Sequence, residues 1–183
     1  DLAIKLSKSF DFEIISVDSV MVYKDANIGS AKPPKNVLEK YPHFLVNNKN
    51  LTEIYSVAEF CNDSYKLIEE IHSRNKIPFF VGGSMMYFKS LLDGINDMPA
   101  RDDLYREKLL EESLKKPGYL FNLLLETDPE YAKKIKPNDE KRILRALEVA
   151  NSSGKTMTEN LNESFKKSLK NKYDILQIGI YEE

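Results

Sequence analysis

Three short stretches carry residue types that could do chemistry. The first is "EIISVDSVMVY", in which Glu13 to Val17 reads as a buried strand and Asp18 follows at its end. In open α/β sheets ligands bind beyond the carboxyl ends of the strands, so a carboxylate there faces a crevice. It can accept a proton or hold Mg2+. The same Asp18-Ser19 pair also reads as the cap of the next turn or helix. The second stretch is "FFVGGSMMY", an apolar strand, then Gly82, Gly83, and Ser84 at a helix start. Free N–H groups and the positive end of the helix dipole would make an anion cradle there, and Gly83 would let a diphosphate approach the backbone. A tight turn with Ser84 as N-cap fits the same residues. The third is "NDEKRILRALEV", which puts Arg142 and Arg145 three residues apart on one helix face, with Ile143, Leu144 and Leu147 on the buried side. Two guanidinium groups on one face can clamp a diphosphate. A solvated basic face paired with Glu140 and Glu148 is the alternative. Arg101, Arg106 and Lys108 are open in the same way.

Positioning these residues takes an alternation of strands and helices. "DLAIKLSKSF" reads as most of an amphipathic helix, with Leu2, Ala3 and Leu6 on one face. Residues 13–18 form the first strand. Residues 23–42 read as a loop, broken by Gly29, Pro33, Pro34 and Pro42. Ser56 and Glu59 make a capping box, and Val57, Cys61, Tyr65, Ile68 and His72 recur at helical spacing after it. Residues 77–81 suit a buried parallel strand, and residues 84–92 a helix. This order predicts an α/β fold with a parallel sheet, residues 1–96 being the core. Residues 97–137 show helical pieces with no strand signal, parted by Pro117-Gly118 and Asp128-Pro129, and read as a helical insertion or lid. Residues 138–183 read as a return to the core, by a helix at 138–151 and a last strand at 175–180.

Composition narrows the classes. The chain has 183 residues, enough for one domain with an insertion. Lys and Arg total 27 against 29 Asp and Glu, so no global basic field marks a nucleic-acid binder. A single cysteine, Cys61, excludes an internal disulfide and suits a reducing, cytoplasmic setting. No apolar run reaches the roughly 18 residues of a membrane helix. One Cys and two His offer no zinc site at recognised spacing, and His43 and His72 read as structural. "SSGKT" at 152–156 resembles the tail of a phosphate-binding P-loop, but the position that needs a second glycine is Val149. Gly154 reads instead as a helix end, and Thr156 with Glu159 as a new start.

Taken together, "EIISVDSVMVYKDANIGSAKP", "YSVAEF", "IPFFVGGSMMYFKSLLDG" and "PNDEKRILRALEV" with "SGKT" closely resemble the tRNA dimethylallyltransferases, also called tRNA isopentenyltransferases. The resemblance spans nearly the whole chain in the family's order. It implies a P-loop kinase-like core with a helical insertion. It implies transfer of a dimethylallyl group from dimethylallyl diphosphate to N6 of the adenine just 3′ of the anticodon. Mg2+ is the implied cofactor, the tRNA anticodon stem-loop the partner, and a monomer with no membrane attachment the implied state. Asp18 matches the proposed general base, and Ser84 a substrate-touching threonine at the glycine turn. Asp18, Ser19, Val20 and Met21 match a first tRNA-contact segment, and Arg106 a contact from the helical part. Lys141, Arg142, Ile143, Leu144 and Arg145 match a second segment, with Arg142 or Arg145 and Gly83 expected at the diphosphate.

Departures accompany the match. Ser84 stands for threonine and keeps the hydroxyl. "PHFLVN" replaces Pro-His-His-Leu-hydrophobic-Asp, so Phe44 and Asn47 remove a His and an Asp. The family's P-loop would precede Asp1 and its C-terminal helices would follow Glu183. The chain is therefore expected to be an internal portion of such an enzyme, inactive by itself. Two other readings share parts of the pattern. A P-loop-type nucleotide phosphotransferase would use the same crevice, arginines and lid. A non-catalytic tRNA-binding remnant would bind without turnover and with steep salt dependence.

Overall fold

In a computed structural model of the chain, residues 2–96, 98–163 and 168–180 are described. Among these residues no helix is long and apolar enough to cross a membrane. The chain forms two compact units, residues 1–95 with 167–183, and residues 96–166.

The first unit is α/β. After α1 (Leu2–Leu6) comes β1 (Phe12–Val17), whose last four residues are buried. A short helix α2 (Lys35–Lys40) follows Pro34, and β2 (His43–Phe44) follows it. The 23–42 stretch is thus not all loop, because proline before a helix is compatible with a start as well as a break. Then come α3 (Val57–Ser73), β3 (Ile77–Gly82) and α4 (Met85–Asp93). The sheet order is β2-β1-β3, all parallel. The β1–β3 register runs from Phe12 opposite Ile77 to Val17 opposite Gly82. The outer edge of β3 has no strand partner among the described residues.

The helix α3 begins where the capping box predicts. Ser56 Oγ accepts from Glu59 N at 3.2 Å, and Glu59 Oε2 accepts from Ser56 N at 2.9 Å. Its buried stripe, Phe60, Cys61, Ser64, Ile68 and Ile71, joins Ile15, Val17, Val22, Tyr87 and Leu91 in the core. The Phe60 and Tyr87 rings stack with centroids 4.5 Å apart, tying α3 to α4. The strand expected at 175–180 does not form: residues 174–180 carry no regular structure and pair with no strand. Both sides of β1 are already taken, and Leu176, Ile178 and Ile180 stay exposed.

The second unit is helical: α5 (Asp103–Lys115), α6 (Tyr119–Thr127), α7 (Pro129–Ala132), α8 (Glu140–Ser153) and α9 (Met157–Asn162). The segment expected to rejoin the core at 138 stays here until 166. The apolar face of α8, with Ile143, Leu144 and Leu147, buries against Leu109, Leu120 and Leu124, and that pairing decides its place. Gly154 ends α8 at φ 69°, and Thr156 with Glu159 caps α9. Asp128, buried, accepts from Tyr131 N at 3.0 Å on α7 and from Thr158 N at 2.8 Å and its hydroxyl at 2.7 Å on α9.

Candidate active site

The end of β3 closes on the end of β1. A Cβ on Gly82 would lie 2.1 Å from the Val17 carbonyl oxygen, far inside contact distance, so only glycine permits the approach. The amide of Ser84 then donates to the same oxygen at 3.3 Å. Asp18 and Ser84 therefore leave neighbouring strands at one sheet edge, as the crevice rule requires.

Asp18 is half-buried, and its two oxygens have different tasks. Oδ1 accepts from the amides of Val20 at 2.8 Å and Met21 at 2.9 Å, which caps the turn. Oδ2 has no hydrogen-bond partner among the described residues. The capping reading holds on Oδ1, and Oδ2 is left open beside it. Ser19 and Val20 are exposed on that turn, and Met21 is half-buried.

Ser84 stands at the N-cap position of α4, but its side chain makes no cap bond. Its hydroxyl has no hydrogen-bond partner among the described residues. Its carbonyl accepts from Tyr87 N and Phe88 N, at 2.9 and 3.2 Å. The amides of Met85 and Met86 lie in the first helical positions, where no earlier helix carbonyl is available. A Cβ on Gly83 would meet no atom within 4 Å, so this part of the turn faces open space. Beside it, burial pushes the Tyr87 phenol up, with the charges of Tyr23 and Asp18 adding to the shift. The neutral Tyr87 hydroxyl donates to Tyr55 O at 3.3 Å.

The other candidates lie in the helical unit. Arg106 is forked onto Glu148, with Nε 2.7 Å from Oε1 and Nη2 2.9 Å from Oε2. Arg145 reaches the same carboxylate at 3.5 Å and donates to Pro99 O at 2.9 Å. Arg142 turns the other way, to Asp139 at 2.8 Å. The two arginines on α8 thus diverge and form no shared clamp. Glu148 is fully buried and also accepts from Asp102 N at 2.9 Å. Burial pushes its carboxyl up, but the Arg106 fork, the Asp102 amide and the charges of Arg106 and Arg145 together bring it below the usual carboxylate range. The solvated pairing read for Glu148 is corrected to a buried one. Ile143 and Leu144, 1% and 5% exposed, give their side chains to the core and not to a tRNA surface. Lys141 and Arg142 are exposed.

Among the described residues no group of three or more His, Cys, Asp or Glu could hold a metal ion. His43 Nδ1 lies 2.6 Å from Tyr41 O, and His72 lies against the Tyr173 ring, 5.3 Å between centroids. The sequence reading missed Lys32, whose ammonium gathers four oxygens near the Asp18 turn; its only local signal is a lysine among turn residues.

The family model described as IPP transferase matches residues 21–183. The chain belongs to the IPP transferase family. It is 45% identical over 184 aligned residues to the tRNA dimethylallyltransferase of Buchnera aphidicola subsp. Baizongia pistaciae, covering all of this chain and 56% of that protein. A crystal structure of a eukaryotic dimethylallyltransferase acting on tRNA is similar at TM-score 0.74 and 33% identity, over 91% of this chain and 43% of that one. The full-length tRNA isopentenylpyrophosphate transferase of Bacillus halodurans follows at TM-score 0.50 and 35% identity, over 83% and 51%. The chain thus spans about half the length of the family members it matches. Within that span its α/β core with a parallel sheet and its helical unit agree with the P-loop kinase-like fold class expected of the family.

Proposed function

We propose that the protein carrying this chain transfers a dimethylallyl group from dimethylallyl diphosphate to N6 of the adenine 3′ of the anticodon in tRNA. The observation that carries this reading is the division of labour on Asp18. One oxygen is locked by two amides, and the other is open at the sheet edge beside Ser84. The N6 lone pair forms a bond to C1 of the allyl group, and the C1–oxygen bond breaks toward diphosphate. The proton that N6 loses goes to the free oxygen of Asp18. Charge grows on the departing oxygens, and the start of α4 with the Ser84 hydroxyl offers them donors. The adenine must leave its stack to reach the carboxylate, which costs roughly a few kcal/mol.

Mg2+ commonly takes one or two protein groups and completes its shell with phosphate oxygens and water. The free Ser84 hydroxyl fits that sparse demand, and the ion would supply charge neutralisation for the diphosphate. Contacts to the anticodon stem-loop are best assigned to exposed groups: Ser19 and Val20 on the turn, Lys141 and Arg142 on α8. Arg106 and Arg145 serve Glu148 first.

The test is Asp18→Asn, assayed with tRNA and dimethylallyl diphosphate. Asparagine keeps an oxygen for the Val20 and Met21 amides but cannot take the proton. Turnover should fall by about 10² or more, with the unfolding midpoint unchanged. Turnover near that of the parent would remove Asp18 as the base, and phosphate transfer without prenyl transfer by the parent would overturn the whole reading.

A further inference from the structure

The ammonium of Lys32 sits among neutral oxygens. Nζ donates to Tyr23 O at 2.6 Å, Asn47 Oδ1 at 2.7 Å and Asn27 Oδ1 at 3.0 Å, and lies 3.3 Å from Lys24 O. Those three shortest contacts use all three of its protons. Among the described residues no carboxylate stands at ion-pair distance from it. Desolvation holds its pKa below the ordinary lysine value, against the opposing charge of Asp25. Lys32 is half-buried and spends its protons on neutral oxygens, so its effect lies in what it joins.

What it joins is the chain that leaves Asp18 and the chain that returns past it. Asn47, at φ 57°, donates its own amide to Met21 O at 3.1 Å. The amides of Asn48 and Lys49 both reach Val22 O, at 2.7 and 3.0 Å, and Lys24 N reaches Lys49 O at 2.9 Å. A continuous path of hydrogen bonds results. It runs from Lys32 Nζ to the Asn47 side chain, from the Asn47 amide to Met21 O, and from the Met21 amide to Asp18 Oδ1.

We infer that Lys32 is a positioning residue, whose ammonium clamps Tyr23 and Asn47 together and thereby fixes the carboxylate of Asp18. The reaction it serves rests on the function proposed above; the clamp itself does not. Without it the 20–24 segment can part from Asn47, the two amides leave Oδ1, and the free oxygen loses its aim. A misplacement of about 1 Å can cost about a hundredfold in rate. The asparagine at 47, where the family pattern has aspartate, fills the acceptor role without a charge.

The experiment compares Lys32→Met, Asn47→Ala and Asn47→Asp in the protein carrying this chain. Amide hydrogen exchange at Val20, Met21 and Asn47 is measured beside kcat and KM. In Lys32→Met, exchange at these amides should quicken by about tenfold or more, while Ile15 and Ile71 in the core keep their protection. The value of kcat should fall about tenfold to a hundredfold with KM within about twofold. Asn47→Asp gives the ammonium a charged partner and should hold exchange at or below the parent rate, but only while Lys32 is present. If Lys32→Met does not fold, Asn47→Ala carries the test, because it removes one acceptor and leaves the carbonyl partners. Unchanged exchange at Val20 and Met21 in a folded variant overturns the clamp. Faster exchange with unchanged kcat overturns its positioning role. Faster exchange in Lys32→Met, where the parent protein itself transfers no prenyl group, leaves the clamp standing and removes the function proposed for the site.

Discussion

Glu148→Gln removes one negative charge from a fully buried position and leaves the side-chain shape in place. Glu148 accepts two bonds from Arg106, at 2.7 and 2.9 Å, one from the Asp102 amide at 2.9 Å, and a longer one from Arg145. Breaking a buried ion pair by removing one partner costs about 3–5 kcal/mol. Arg106 and Arg145 are 19% and 33% exposed at their side chains, so water recovers part of their solvation, and glutamine keeps one acceptor. The loss should therefore lie near the lower end, about 3 kcal/mol. Urea unfolding, with hydrogen exchange at α8 amides as the local readout, measures it. A loss below about 0.5 kcal/mol, the size of an ordinary surface change, would refute the reasoning. The pH dependence has a definite sign. The folded carboxyl is held below its unfolded value, so the stabilisation is complete above about pH 4.3 and fades as pH falls toward the lower folded value. In Glu148→Gln that acid-side fading should shrink. The double change Arg106→Met with Glu148→Met should cost less than Glu148→Gln alone, because it leaves Arg106 no unpaired charge to bury.

Gly82→Ala should lower stability by about 3 kcal/mol or more, since the new methyl meets Val17 backbone that cannot yield, whereas Gly83→Ala should stay within about 0.5 kcal/mol; thermal unfolding separates the two. Asp128→Ala should cost about 2–3 kcal/mol, because one carboxylate serves both α7 and α9, and the loss should appear first as faster exchange at Thr158. Cys61 is fully buried, and burial pushes its thiol up to about 11, so at pH 8 a thiol reagent should label it only at the rate of unfolding. Labelling as fast as that of a free thiol would contradict its place on the buried stripe of α3.

Local signals proved readable where the interaction is itself local. Ser56 with Glu59, Thr156 with Glu159, and the left-handed Gly154 all fall where their spacing places them. The juxtaposition of Asp18 with Gly82–Ser84 was legible too, because strand ends in a parallel sheet share one edge. Glu148 was not. Its burial depends on Arg106, 42 residues away, and no local pattern distinguishes it from a surface acid in a charge run. Ile143 and Leu144 show a conflict within the sequence itself: their helical spacing marks them as core, against the nucleic-acid role implied by their neighbours, and the spacing prevails. The 175–180 stretch has the apolar make-up of a strand, yet a strand exists only by pairing, and no partner for it stands among the described residues. Lys32 was silent because its cage joins two main-chain carbonyls to the amide oxygens of Asn27 and of Asn47, 15 residues away, and no local pattern marks that meeting.

The outer edge of β3, without a strand partner among the described residues, has a consequence for the behaviour of the chain in solution. "IPFFVG" offers unpaired main-chain groups along an apolar strand, and "ILQIGI" at 175–180 is exposed, uncharged and free of proline. Edges and segments of this kind template association between identical chains. Produced on its own, this polypeptide should lose solubility steeply as its concentration rises. The loss would come from a sheet that, among the described residues, can still take a strand at β3.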